Sequence, residues 1–118
     1  MDGELLLMTM LFDFFGDLLT EKQREYYDLY HNEDLSLSEI AEKEGITRQG
    51  VYDIINRAEK SLELIERKTG IVKRWRETQN ELNRAEEISK QLQRLSGENS
   101  ECAELARKLV LILEGLKG

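Results

Sequence analysis

The sequence predicts an all-α protein built on a helix-turn-helix, flanked by an apolar N-terminal helix and a C-terminal helical hairpin. Three observations carry that expectation. The 118 residues contain no proline, and Leu, Glu, Lys, Arg, Gln and Ala dominate, a composition that favours helices over strands. Apolar residues recur at steps of three and four along most of the chain, the period of a helix face. Ser or Thr precedes Glu or Gln by three residues at two of the expected helix starts, Thr20 with Gln23 and Ser36 with Glu39, the reciprocal arrangement that satisfies orphan donors where a helix begins.

The elements follow in order. Between residues 4 and 19 the polar positions Thr9, Asp13 and Asp17 return every four residues and make one narrow stripe. The rest of that helix (Leu5, Leu6, Met8, Leu11, Phe12 and beyond) is apolar almost all round. Such a helix must be buried, by its own chain or by a second copy. Thr20 opens a short helix over about 21–31 that carries Tyr26, Tyr27, Leu29 and Tyr30, and His31 to Asp34 read as a loop. Ser36 opens a two-turn helix that buries Ile40 and Ala41. Gly45 ends it, because glycine adopts the left-handed conformation at little cost. Ile46 plugs the turn, and Thr47 caps a third helix. The inner face of that third helix is Val51, one of Ile54 and Ile55, Ala58, Leu62 and Ile65.

Gly70 interrupts the pattern. A long amphipathic helix follows, marked by Val72, Trp75, Leu82, Ala85, Ile88, Leu92 and Leu95. Ser96 to Ser100 (SGENS) form a turn, and a last helix spans about 101–116. Two antiparallel helices joined by so short a turn make a hairpin. The expected organisation is a helix-turn-helix domain over 1–66 and an amphipathic hairpin over 67–118; the hairpin or the N-terminal apolar helix is expected to serve for dimerisation, since so much apolar surface exceeds what a small bundle covers.

Composition narrows the function classes. Cys102 and His31 are the only cysteine and histidine, so no intrachain disulfide forms, a reducing compartment fits, and neither a metal nor another cofactor is expected. The apolar N-terminus lacks the positive region of a signal peptide, and Glu4, Asp13 and Asp17 interrupt it. The chain is therefore expected in the cytoplasm, without membrane insertion. There is no phosphate-binding glycine loop and no nucleophile elbow. His31 reads as a solvated loop residue, Glu63, Glu66, Glu86 and Glu87 as ordinary helical surface acids, and Cys102 as packed. The chain is expected not to be an enzyme.

The segment LSLSEIAEKEGITRQGVYDIINRAE, Leu35 to Glu59, meets the spacing of a helix-turn-helix, whose second helix enters the major groove. Its exposed residues would be Thr47, Arg48, Gln49, Tyr52, Asp53, Asn56 and Arg57. Arg48 and Arg57 suit guanine edges or phosphates, Gln49 and Asn56 suit adenine, and Thr47 and Tyr52 reach phosphate. Gly50 would permit close approach of a backbone. Charge works against them: the chain carries a net charge of -7, and phosphate neutralisation supplies most non-specific affinity. The one basic run, RKTGIVKRWR, holds Arg67, Lys68, Lys73, Arg74 and Arg76 with no acid between them. It suits a nucleic-acid backbone. Trp75 within it either stacks on a base or packs in the hairpin, the second being the simpler placement.

Leu11 to Glu63, with its cues LFDF, LLTEKQ, LYHNEDLSLSEIAE, TRQGVYD and INRAEK, closely resembles the YlxM family of small bacterial helix-turn-helix proteins. More distantly it is similar to region 4 of bacterial housekeeping sigma factors, which has no wing. The resemblance implies an all-α cytoplasmic protein, often a homodimer, with a DNA-binding module and an association with the signal recognition particle pathway. Two functions follow as alternatives: a DNA-binding regulator, or an adaptor that binds protein or RNA of the signal recognition particle machinery.

Overall fold

A computed structural model describes residues 2–98 and 100–117; Met1, Gly118 and Asn99 of the expected SGENS turn lie outside the described residues. Among the described residues there are six α-helices and no strand: α1 (Asp2–Phe15), α2 (Glu21–His31), α3 (Leu37–Glu44), α4 (Arg48–Thr69), α5 (Ile71–Leu95) and α6 (Glu101–Leu116). A single 3-10 turn, Gly16–Leu18, follows α1. No helix among these residues is long and apolar enough to cross a membrane.

The chain divides into two compact units, Met1–Val72 and Lys73–Gly118. In the first, α1, α2 and α3 all pack on α4. Its core is Leu11 and Phe15 of α1, Tyr26 and Tyr27 of α2, Ile40 of α3, and Val51, Ile55, Ala58 and Leu62 of α4. Of the pair left open in the sequence, Ile55 is buried and Ile54 only half so. Val72 belongs to this core as well. Its backbone N–H donates to Glu66 Oε1 at 2.9 Å, so the unit extends past the expected boundary at 66, which falls inside α4.

The chain ends of these helices are set by local chemistry. Thr20 Oγ1 accepts the Gln23 N–H at 3.2 Å while the Gln23 side chain accepts the Thr20 N–H at 3.1 Å. Ser36 and Glu39 repeat that exchange at 3.0 and 3.2 Å. Gly45 closes α3 at φ 69°, ψ 32°, the left-handed region in which a Cβ is strained.

Of the two ways α1 was expected to be buried, its own chain covers part of it. Leu11 and Phe15 are buried, but Leu5, Leu6, Phe14 and Leu18 are exposed. The helix meets α4, and its Phe12 stacks on Tyr27 of α2 at 4.8 Å between ring centroids; these neighbours lie on one side of the cylinder and leave the other uncovered.

The second unit is the hairpin of α5 and α6. Ser100 Oγ caps α6 by accepting the Ala103 N–H at 3.1 Å. Cys102, expected to pack, is exposed, because the row turned inward is its neighbour's: Ala103, Ala106 and Leu113 are buried. Glu86, expected as a surface acid, is only 8% exposed. It accepts from Lys117 at 2.7 Å and Lys90 at 2.9 Å. Those bonds, Lys117's foremost, hold its carboxyl below the ordinary value of 4.5. A carboxylate held low contributes stability above its unfolded-state pKa and loses it as pH falls through the folded value. Glu86→Gln is therefore expected to destabilise the hairpin at neutral pH. The difference from the parent should shrink below pH 4.5 and vanish once Glu86 is protonated, as denaturant titrations across that range would show.

Candidate nucleic-acid interface

The interface is built by α3, its glycine turn and the first half of α4. The turn is held by the Ile46 N–H, which donates to the Ala41 carbonyl at 3.2 Å. Ile40 and Ala41 below and Val51 above are buried and fix the crossing of the two helices. Ile46, expected to plug the turn, is 38% exposed; the buried Val51 takes that role. Thr47 Oγ1 caps α4 by accepting the Gly50 N–H at 3.0 Å. A Cβ on Gly50 would stand 3.2 Å from that same oxygen, so the glycine leaves room for the cap. Thr47→Ala is expected to destabilise the first unit by about 0.5–2 kcal/mol, the usual range for a lost N-cap, measured by urea unfolding.

With about 100° between successive residues, the buried row Val51, Ile55, Ala58 and Leu62 fixes where every other α4 side chain stands. Asp53 falls opposite that row, at the centre of the outward surface. Gln49 lies one turn earlier and donates from Nε2 to Asp53 Oδ1 at 3.0 Å. Arg48, Gln49, Tyr52 and Arg57 are exposed and Asn56 is half-buried. Thr47 is exposed too; its oxygen is engaged in the cap, while its hydroxyl hydrogen can still meet a phosphate. By the same rule Gln49, Asn56 and Arg57 flank Asp53 on that outward surface, Tyr52 stands at its edge, and Arg48, about 180° from Arg57, stands next to the buried row.

The basic run is divided. Arg67 and Lys68 are exposed on the last turn of α4, in the first unit, whereas Lys73, Arg74 and Arg76 are exposed on α5, in the second. Trp75, for which packing was the simpler placement, is 42% exposed.

Beside the outward face lies a shallow cavity of about 170 Å³ lined by Tyr30, Leu37, Tyr52, Ile55, Asn56 and Glu59. Glu59 also ties α4 to the end of α2. His31, expected as a solvated loop residue, is the last residue of that helix. Its Nε2–H donates to Glu59 Oε1 at 3.1 Å, and its ring stacks on Tyr27 at 4.1 Å between centroids. Burial above all, then the charges of Glu59 and Glu63, pushes the Tyr27 hydroxyl up to about 12. The partners His31 and Glu59 lie 28 residues apart, and no local pattern announces them.

Residues 3–104 match a sequence family, UPF0122, described as "Putative helix-turn-helix protein, YlxM / p13 like". The chain is 54% identical over 84 residues to a UPF0122 protein of Thermoanaerobacter sp. (strain X514), covering 71% of this chain and 72% of the relative. It is 48% identical over 87 residues to one from Caldanaerobacter subterraneus subsp. tengcongensis, covering 74% of each. To a Bacillus cereus (strain AH187) UPF0122 protein it is 39% identical over 102 residues, 86% of this chain and 93% of the relative.

Proposed function

The chain belongs to the UPF0122 family of YlxM/p13-like helix-turn-helix proteins, and on that premise we propose that it is a non-enzymatic regulator that binds duplex DNA through α4. One observation supports this above the others: the first three turns of α4 leave Arg48, Gln49, Tyr52 and Arg57 exposed to solvent, while Val51, Ile55 and Ala58 are locked in the core. The N-terminal turns of a recognition helix are where base edges are read. Arg48 and Arg57 would take guanine or phosphate, Gln49 and Asn56 adenine, and Thr47 and Tyr52 phosphate. Arg67, Lys68, Lys73, Arg74 and Arg76 would add backbone contacts that carry no sequence information. A homodimer would set two such helices on half-sites about 34 Å apart, one turn of the duplex.

A salt titration against duplex DNA tests this. Direct reading requires one preferred sequence, and the logarithm of the binding constant should fall against log salt with a slope of about -0.9 per neutralised phosphate. Weak binding that is the same for every duplex would end it.

A second reading is favoured by Asp53. A carboxylate at the middle of the presented face, in a chain of net charge -7, suits a basic partner better than phosphate. On this reading the same face docks a basic protein or a protein–RNA element of the signal recognition particle machinery, in the cytoplasm. Co-purification of tagged protein with particle components supports it, and their absence together with specific DNA capture counts against it.

A further inference from the structure

We propose that the cavity beside the outward face of α4 receives one arginine side chain of a basic partner protein. The inference rests on the second reading above, in which this part of the chain docks a basic protein, and it names what that protein must present.

Three helices assemble the site. Tyr30 comes from the last turn of α2, Leu37 is the first residue of α3, and Tyr52, Ile55, Asn56 and Glu59 belong to α4. The four α4 residues fall within about 100° of one another around the helix, on one flank. Ile55 is buried, whereas Tyr30 is 38% and Tyr52 49% exposed. His31 fixes two of the walls. Its ring stands perpendicular to that of Tyr30 at 5.1 Å between centroids, and its Nε2–H donates to Glu59. A site held in place before binding loses less freedom when it is filled. The cavity measures about 170 Å³, below the roughly 300–1,000 Å³ of sites for whole small molecules. It therefore admits a single side chain.

Charge selects which side chain. Glu59 is the one charged residue in the lining. Its Oε1 is engaged by His31, while Oε2 accepts no hydrogen bond among the described residues. Glu63 lies a turn further along the same flank, and its charge and that of Glu59 both reach the Tyr27 hydroxyl. Arg48 lies a turn before Tyr52 and does not line the cavity.

The guest must be cationic, able to donate, and flat enough to lie on a tyrosine ring. A guanidinium meets all three demands: it stacks on aromatic faces, is weakly hydrated and holds its N–H donors in one plane. One N–H would reach Glu59 Oε2 and another the side-chain carbonyl of Asn56, with the methylene stem against Leu37. The ammonium of lysine is compact and strongly hydrated, and gains less from the rings. A nucleobase would also stack on tyrosine. It brings a phosphate, however, and the lining offers that phosphate a carboxylate and no cation.

The full chain titrated with the capped peptide Gly-Gly-Arg-Gly-Gly, followed by NMR of the tyrosine rings, tests the site. The Tyr30 and Tyr52 signals should move together. The lysine peptide should bind more weakly, and the citrulline peptide, which keeps the shape and loses the charge, should leave the signals in place. Glu59→Gln and Tyr30→Leu should each weaken arginine binding by about fivefold or more. Neither residue is among those proposed to touch DNA, and Glu59→Gln decides the matter if Tyr30→Leu unfolds. Equal binding of the arginine and citrulline peptides overturns the proposal, as does a chain whose tyrosine signals answer to guanosine monophosphate and not to arginine. Capture of a basic protein by the tagged chain that both variants leave unaltered ends the arginine site and leaves the docking reading standing. Arginine binding of the expected kind in a chain that captures no basic protein leaves the site standing and ends the docking reading.

Discussion

Leu62→Ala is expected to lower the unfolding free energy of the first unit by about 2–5 kcal/mol, the range for deleting a fully buried leucine side chain. Leu62 has no solvent exposure and lies on the inner row of α4, the helix on which α1, α2 and α3 all pack. A cavity there opens in the core that these helices share, and the close packing of a protein interior resists collapse into it. Small domains are stable by only about 5–15 kcal/mol, so the loss is a large share of the total. Denaturant titration followed by circular dichroism measures it. A change below about 1 kcal/mol would mean that α4 is not the common support. By contrast, Leu64, on the same helix but exposed, should tolerate alanine within about 0.5 kcal/mol.

Arg48→Ala carries the second large effect. If α4 reads DNA, removing this exposed guanidinium at its first residue should cost about 1–3 kcal/mol at the preferred sequence and relax the preference at one base pair. Lys68→Ala should behave differently: binding weakens evenly across sequences and the salt slope falls by about one phosphate. Both side chains are exposed, so neither change should alter stability much, and affinities measured on folded protein separate the two roles. Asp53→Asn adds a third arm. Removing the carboxylate at the centre of the face should tighten binding to every duplex if DNA is the partner. If the partner is a basic protein, the same change should weaken that complex. An Arg48→Ala protein with unaltered affinity would move recognition away from α4.

Much of the candidate site could be read without coordinates because it depends on interactions close along the chain. The two capping boxes, the Thr47 cap and the left-handed Gly45 each involve residues within one helical turn, so residue type and spacing determine them. The inner row of α4 was legible for a similar reason: a period of 3.6 decides which residues share a face once one of them is apolar. The list of exposed residues on α4 is the complement of that row.

What the local pattern left open was which surfaces meet, because that depends on partners distant in sequence. An apolar stripe announces burial without saying by what. So α1 reads as buried by its own chain or by a second copy, and only the fold shows that α4 and α2 cover one side of it. Cys102 reads as packed, yet it stands one residue off the inward row of α6. Glu86 is indistinguishable from Glu87 in the sequence; only the fold brings Lys117 to it. His31 looks like a loop residue until α2 is laid against α4 and Glu59 comes within hydrogen-bond reach. The sequence by itself determined where helices start, stop and turn, through contacts that each residue makes with its near neighbours. The tertiary structure alone decided which of several apolar and charged faces is spent inside the chain and which stays available, because burial is a property of two surfaces and the chain states only one of them at a time.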